Sequence, residues 1–312
     1  MPVRQLIEYA LEVPDQKTGQ RFYQDFGFQD ATGSSNAVRL RPKGLDRDQI
    51  LLYEGPKKRL KHLTFAVPPE EMPALKARLN EIDGEGEGLW VKDPDGQLIH
   101  LREEAPIAPA ADPPLRYNSP GHVARAGKRA IEPPVQDPAS PRRLGHVMLF
   151  TPDIERKKQF YINDLGMKLS DQVPGFAAFL RCSPDHHNLA FIKSDRPGFH
   201  HASFEVGGID EIALGAEKMR QHGWKPAWGL GRHCIGSNFF YYLQDPWGSY
   251  AEYFFDLDYI PEDMDWQSRD WDPKYALYVW APNSPPTSPS TKRPKPATKK
   301  RGICPSFQQS RI

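Results

Sequence analysis

Three residues in the second half of the chain have the types that hold a transition metal. His146 lies within RLGHVMLF, His201 lies within FHHASFEV, and Glu252 lies in the stretch after the turn DPWG; all three stretches are predicted to be β-strands. Two neutral imidazoles and one carboxylate on separate strands form the set that suits Fe(II) and leaves coordination positions open. The pattern predicts a metal site with room for a substrate and O2.

The doublet His200–His201 raises the question of which histidine binds the metal. Successive side chains of a strand point to opposite faces. His201 then shares a polar face with Ser203 and Glu205, whereas His200 shares an apolar face with Ala202, Phe204 and Val206. We expect His201 to bind the metal and His200 to lie on the other face, towards solvent or a helix.

The chain contains one pattern twice, at about 3–103 and 142–282. Four pairs of segments match in the same order: RQLIEYALEVPD (4–15) with RRLGHVMLFTPD (142–153), RFYQDFGF (21–28) with QFYINDLGM (159–167), LKHLTFAV (60–67) with FHHASFEV (199–206), and VKDPDGQLIHL (91–101) with LQDPWGSYAEY (243–253). Each copy has a helix-start signal at Pro-Asp, a helix end near Gly27 or Gly166, and a DPxG turn before its last strand. The pattern predicts four βαβββ-like units, paired into two domains.

Composition and charge exclude several classes of function. The 312 residues include 41 basic and 40 acidic side chains, and the net charge of +1 attracts neither nucleic acid nor an anionic membrane. No apolar run approaches the length of a transmembrane helix, and the N-terminus lacks the apolar core of a signal peptide. The three cysteines, Cys182, Cys234 and Cys304, form neither a disulfide nor a zinc pattern. We expect a reduced, cytoplasmic protein.

Two stretches have the composition of a linker and a tail. Residues 104–141 are rich in Pro and Ala, and residues 283–312 are basic, rich in Pro, Ser and Thr, and poor in large apolar side chains. We predict a first domain over 1–103, a linker over 104–141, a second domain with the metal site over 142–264, an aromatic segment near the pocket over 265–282, and a disordered basic tail over 283–312. A contact between subunits is an equal alternative for the aromatic segment.

The motifs LGHVMLFTPD, PDHHNLAFI, FHHASFEV, LGRHCIGSNFFYYLQDPWG and YAEYF resemble those of a known family. They are similar to the type I extradiol ring-cleaving dioxygenases of the vicinal oxygen chelate (glyoxalase/bleomycin resistance/dioxygenase) superfamily, which include biphenyl-2,3-diol and catechol 2,3-dioxygenases and trihydroxytoluene oxygenases. The resemblance covers about 4–280 and is strongest in 144–254. It implies an α+β fold of two tandem domains, each with paired βαβββ modules in a cupped, barrel-like mixed sheet, the first domain being non-catalytic.

The resemblance implies a role for six side chains: metal ligation by His146, His201 and Glu252, acid–base catalysis by His187, and hydrogen bonding to the reactants by His233 and Tyr242. It further implies Fe(II), with Mn(II) as the alternative, O2 as co-substrate, a small aromatic diol or triol as substrate, and a homo-oligomer. A histidine that titrates near neutral pH can take a phenol proton and return it. The reaction would be meta cleavage in aromatic compound degradation.

Several alternatives stay open. His187 can instead be a buried core histidine, and His233 can brace its loop. A glyoxalase-like metalloenzyme and a metal-free binding protein of the bleomycin-resistance type share the fold. In the first copy Glu8, His62 and His100 occupy the three metal positions with their types permuted, so a second metal site is a further alternative. The sequence does not distinguish between mono- and bicyclic catechols and trihydroxylated rings.

Overall fold

The computed structural model describes residues 1–31, 36–108, 117–133, 135 and 139–282; part of the predicted linker and the whole predicted tail lie outside them. The first half contains β1 Gln5–Val13, α1 Gln16–Phe26, β2 Phe28–Asp30, β3 Ala37–Pro42, β4 Ile50–Glu54, β5 Arg59–Val67, a 3-10 turn Pro69–Glu71, α2 Met72–Arg78, β6 Leu89–Lys92 and β7 Leu98–Glu103. The second half contains β8 Arg143–Thr151, α3 Ile154–Gln159, a π turn Phe160–Asp164, β9 Lys168–Val173, β10 Ala177–Arg181, β11 Leu189–Lys193, β12 Gly198–Glu205, α4 Ile209–Gln221, β13 Lys225–Arg232, β14 Phe239–Gln244, β15 Tyr250–Phe255 and β16 Arg269–Asp270.

Each half forms one mixed sheet, and the two sheets share a topology. The first has the order β2-β3-β4-β1-β5-β7-β6, and the second has the order β13-β14-β15-β12-β8-β11-β10-β9-β16. In both, the first strand pairs parallel with one neighbour (β4 or β11) and antiparallel with the other (β5 or β12), which pairs parallel with β7 or β15. The predicted α+β fold of two tandem mixed sheets is confirmed, although only two strands follow α2 in the first half.

The first helix of each half begins at the predicted signal. The carboxylates of Asp15 and Asp153 accept hydrogen bonds from backbone N–H groups of the first helical turn, and so satisfy donors that the helix leaves free. The helix α1 ends at Gly27, whose φ of 115° is left-handed; a Cβ atom there would lie 2.7 Å from the carbonyl oxygen of Ala139. No helix in the described part of the chain is long and apolar enough to cross a membrane.

The one-residue insertion in the second copy corresponds to the π turn that follows α3. QFYINDLGM is one residue longer than RFYQDFGF, and a π turn takes one more residue than an α turn. Tyr23 and Tyr161, which correspond in the two segments, are both fully buried. The π turn therefore absorbs the insertion while the aromatic side chain keeps its place in the core.

The aspartate of each DPxG turn forms a buried ion pair with a lysine from the other half. A carboxylate oxygen of Asp93 lies 2.9 Å from Nζ of Lys157, and one of Asp245 lies 2.8 Å from Nζ of Lys58. None of these four side chains is more than 8% exposed. The turns that precede β7 and β15 therefore also join the two halves of the chain.

We predict that Lys157→Met lowers the free energy of unfolding by about 3–5 kcal/mol, because it leaves the Asp93 carboxylate buried without its cation. Lys158→Met is the matched control: the neighbouring lysine pairs with the exposed Glu155, and its loss should cost at most about 1 kcal/mol. Urea-induced unfolding of both variants measures the difference. Equal losses in the two variants would contradict a role for the buried pair.

Candidate active site

His146 on β8, His201 on β12 and Glu252 on β15 meet in the second sheet, and all three are buried. The Nε2 atoms of His146 and His201 are 3.3 Å apart, and Oε2 of Glu252 lies 3.3 Å from the first and 3.2 Å from the second. Within the described ranges, this is the one group of three metal-ligating side chains found to converge. Three ligand atoms in a nearly equilateral triangle suit a single shared ion.

The register of three adjacent strands produces this triangle. Ser203 on β12 lies opposite His146 of β8 on one side and opposite Glu252 of β15 on the other. His201 precedes Ser203 by two residues, and residues two apart share a face of the strand. A slip of one residue in either pairing would turn a ligand to the opposite face, so the register positions the candidate site.

The charges of these side chains and the unpartnered oxygen of Glu252 fit a divalent metal. Burial alone would raise the pKa of Glu252, but the adjacent imidazoles of His146 and His201 hold it well below its usual value. Burial lowers the pKa of His201, which keeps its imidazole neutral. Oε2 of Glu252 is buried and has no hydrogen-bond partner among the described residues. An ionised carboxylate with a free oxygen beside two imidazoles is the donor set that Fe(II) or Mn(II) takes.

His200 does not lie on the opposite face, contrary to the expectation from strand alternation. The pairing of β12 with β8 shifts between Phe199 and His201, so His200 is the extra residue of a β-bulge. Its Nδ1 lies 2.6 Å from Nδ1 of His201, and its ring packs edge-on against Phe150. A hydrogen bond at Nδ1 orients a metal-binding imidazole and leaves Nε2 for the ion, so His200 braces its neighbour.

His233 and Tyr242 form a hydrogen-bonded pair beside the triangle. Because a carbonyl only accepts, Nδ1–H of His233 donates to the oxygen of Leu277 at 2.7 Å, and its Nε2 accepts from the Tyr242 hydroxyl at 3.1 Å. Burial lowers the pKa of His233 and raises that of Tyr242 well above its usual value, so both groups are neutral at pH 7. Nε2 of His233 lies 3.8 Å from Oε1 of Glu252.

His187 lies in the loop between β10 and β11, with its ring centroid 4.3 Å from that of His146. Burial, together with the nearby His146, holds the pKa of His187 well below its usual value, and the imidazole is therefore neutral. Gly236 approaches this ring closely. Its φ is +84°, and a Cβ atom there would lie 3.2 Å from Cε1 of His187 and 2.9 Å from the side chain of Leu257. The six residues predicted from the sequence thus lie close together.

Sequence reasoning missed Asn238, which is fully buried and donates from Nδ2 to Oε1 of Glu252 at 3.4 Å. Asn238 stands in GSNFF, where its type indicates only a turn, so no local signal marks it as a partner of the carboxylate. Tyr241 points to the other side of β14 from Tyr242 and packs against the main hydrophobic core. Asn238 and Tyr242 therefore belong to the site, whereas Tyr241 belongs to the core.

The corresponding residues of the first sheet do not converge on one point. Glu8 is satisfied within the protein: its carboxylate accepts from the Thr64 hydroxyl at 3.0 Å and lies 3.7 Å from the Arg102 guanidinium and 3.4 Å from Nε2 of His62. Nε2 of His100 donates to the carbonyl of Glu87 at 2.8 Å. Glu8 and His100 therefore use polar atoms in internal contacts, and among the described residues the permuted set does not bring three ligand atoms together.

Comparisons with known proteins match residues 143–253 to the model of the Glyoxalase/Bleomycin resistance protein/Dioxygenase superfamily. Over 297 residues the chain is 36% identical to Metapyrocatechase 2 of Cupriavidus necator, covering 91% of this chain and 90% of that protein. Over 288 residues it is 24% identical to the manganese-dependent 2,3-dihydroxybiphenyl 1,2-dioxygenase of Geobacillus genomosp. 3, covering 84% and 88% of the two chains.

Among solved structures, the Mn(II)-bound glyoxalase from Novosphingobium aromaticivorans matches with a TM-score of 0.71 over 94% of this chain and 98% of that chain, at 22% identity. Similarity at that level shows a common fold, and one fold supports different activities. The identity of 36% over nine tenths of both chains is the stronger statement about family.

We predict that His201→Ala abolishes tight binding of Fe(II), because it removes one of three protein ligands. His200→Phe should keep one metal per chain but weaken its affinity by about 10–100-fold, because the brace at Nδ1 is lost while the ligand remains. Anaerobic titration against a competing chelator measures both affinities. Unchanged affinity in His200→Phe would show that the bulge histidine does not orient His201.

Proposed function

Because this chain belongs to the extradiol ring-cleaving dioxygenases of the glyoxalase/bleomycin resistance/dioxygenase superfamily, we propose that it cleaves a catechol-type or trihydroxylated aromatic ring beside its diol. O2 is the co-substrate, and the metal is a non-heme Fe(II) ion held by His146, His201 and Glu252. The observation that carries the proposal is the buried triangle of two imidazole nitrogens and one carboxylate oxygen. The reaction serves the degradation of aromatic compounds.

The donor set supports Fe(II) as the metal. Two imidazoles and one carboxylate leave open positions that Fe(II) oxygenases use, and Mn(II) accepts the same ligand types. When bound, the ion supplies Lewis acidity and a template for the diol and O2. The ionised Glu252 offsets one of the two positive charges of the ion, while the buried surroundings keep water away from the reactants.

His187 acts as the base for the substrate in this proposal. Its imidazole is buried, neutral and adjacent to His146, so it can accept a proton from a diol hydroxyl that lies at the metal. It later returns that proton as the ring opens. A carboxylate would be less suitable at this position, since a second negative charge beside Glu252 would oppose binding of a deprotonated diol.

Tyr242 orients the diol by hydrogen bonding, and His233 fixes the direction of the Tyr242 hydroxyl. The Tyr242 hydroxyl donates to Nε2 of His233, which leaves the lone pairs of its oxygen free to accept from a substrate hydroxyl. The stacking of the His233 ring on Phe240, with centroids 3.9 Å apart, fixes the imidazole plane. These two side chains hold the diol in one orientation relative to the metal ligands.

We extend the proposal to assembly. Tyr275, Leu277, Val279 and Trp280 expose 45–65% of their surface on one short segment, and a cluster of exposed large apolar side chains favours a protein contact. A homo-oligomer would cover this segment. In the same proposal the first sheet, whose Glu8 is internally satisfied, has a structural role only.

We predict that the protein, loaded anaerobically with Fe(II) and mixed with a diol, consumes one O2 per ring opened when air is admitted. An oxygen electrode across a panel of catechols, biphenyldiols and trihydroxylated rings, with the yellow colour of the ring-opened product, measures the reaction. The His201→Ala protein is the control. The absence of oxygen consumption with every member of the panel would contradict the proposed function.

We predict that His187→Phe binds the metal normally but lowers kcat by about 10²–10⁴-fold, the range that a general base contributes. Phenylalanine fills a similar volume and removes the proton acceptor, so the stability of the protein should change little. Steady-state kinetics beside a metal analysis test the assignment. Full activity in this variant would show that another group takes the diol proton.

A further inference from the structure

A series of hydrogen-bonded side chains runs from His187 away from the metal ligands. Nδ1 of His187 lies 3.1 Å from Nδ1 of His186, and Nε2 of His186 lies 3.3 Å from Oδ2 of Asp171. All three side chains are buried, and His186 has no exposed surface. No sequence pattern connects these residues, because Asp171 on β9 and the loop that carries both histidines come together only through tertiary packing.

The hydrogen bonds among Asp171, His186 and His187 allow one assignment of donors and acceptors, which starts from Asp171. An ionised carboxylate only accepts, so Nε2 of His186 carries the hydrogen that faces Asp171. Nδ1 of a neutral His186 then has a lone pair and accepts from Nδ1–H of His187. The hydrogen of His187 is thereby placed on Nδ1, and its Nε2 keeps the lone pair that a base requires. Among the described residues, none forms a hydrogen bond with this Nε2.

Asp171 is itself held by the C-terminal aromatic segment. The backbone N–H of Arg269 donates to Oδ1 at 2.8 Å, and the indole N–H of Trp271 donates to Oδ2 at 2.9 Å. These bonds form where β16 pairs with β9. Two donors besides His186 keep the carboxylate ionised and fixed in one rotamer, because each would lose its acceptor if Asp171 turned away.

We propose that Asp171 and His186 are positioning residues for the ring-opening reaction, which fix the tautomer and the ring plane of His187 so that its Nε2 lone pair faces the substrate. The inference rests on the proposed function, since it assigns how the base of that reaction is held. The proton accepted from the diol stays on His187 and returns to the product. Asp171 and His186 do not touch the substrate; they stabilise the imidazolium that forms between the two steps.

A first experiment replaces the carboxylate by an amide in the Fe(II)-loaded enzyme. The amide of Asn carries no negative charge and has one accepting oxygen for three donors, so the stabilisation of the His187 imidazolium is lost and at least one of the three donors loses its acceptor. We expect Asp171→Asn to lower kcat by about 100-fold or more, with KM for the diol and the metal content little changed.

Gln172→Ala is the matched control for this experiment. Gln172 is the next residue of β9 and ties the same C-terminal segment through Asp270 at 2.8 Å, but it does not contact His186. We expect Gln172→Ala to keep the wild-type kcat. Equal losses of kcat in Asp171→Asn and Gln172→Ala would show that Asp171 only anchors the segment, and would overturn the proposal.

A second experiment tests rescue at His186. His186→Phe removes both hydrogen-bonding atoms and should lose about as much kcat as Asp171→Asn. His186→Gln supplies an amide N–H for Asp171 and an amide oxygen for Nδ1–H of His187, and should recover at least about tenfold of that loss. Equal activity of the Gln and Phe variants would contradict the proposal that His186 positions His187 by hydrogen bonding.

A third measurement reads the tautomer without activity. In the metal-free protein labelled with ¹⁵N-histidine, we expect the His187 resonances, assigned by their loss in His187→Phe, to show a neutral ring with the hydrogen on Nδ1. The hydrogen should leave Nδ1 in His186→Phe, which removes the acceptor of that hydrogen. A hydrogen on Nε2 of His187 in the wild-type protein would overturn the proposed positioning, even if the enzyme were active. A wild-type enzyme that opens no diol would overturn the proposed function and leave this spectrum as predicted.

Discussion

A carboxylate without any exposed surface, that of Glu252, is the feature on which the second sheet depends. A buried carboxylate costs several kcal/mol unless it is compensated. Here Asn238 and two imidazoles surround the carboxylate, and its Oε2 atom has no hydrogen-bond partner among the described residues. A cation at the free oxygen would complete this compensation. The register of three strands, the bulge that brings His200 against His201, and the hydrogen bonds of the neighbouring groups all serve to keep that oxygen and two nitrogens together.

The first sheet shows the other solution to the same physical problem. Its register is equivalent, with Thr64 opposite both Glu8 and His100 as Ser203 is opposite His146 and Glu252. The hydroxyl of Thr64 donates to the carboxylate and Arg102 provides a positive charge nearby. The protein itself supplies the cation and the donor for Glu8, so an equivalent frame with permuted residues compensates its carboxylate internally.

The segment after β15 reaches the candidate site at two places. The carbonyl of Leu277 fixes the tautomer of His233, and through it the direction of the Tyr242 hydroxyl. Arg269 and Trp271 hold Asp171, which stands at the end of the chain of hydrogen bonds to His187. The orientations of Tyr242 and of His187 therefore both depend on how this segment packs, although none of its residues is a metal-ligand candidate.

The sequence alone determined the duplication, the fold class and the convergence of the three metal-ligand candidates, because strand alternation and an internal repeat define which positions share a face. His187, His233 and Tyr242 were expected from the family resemblance. It also placed the helix starts at Asp15 and Asp153, since capping is a local interaction. Only the tertiary structure decided the place of His200, which depends on a bulge between two paired strands. The same holds for Asn238 and for the link from Asp171 to His187, whose partners are brought together by strand pairing and loop packing, which neither residue spacing nor the internal repeat encodes.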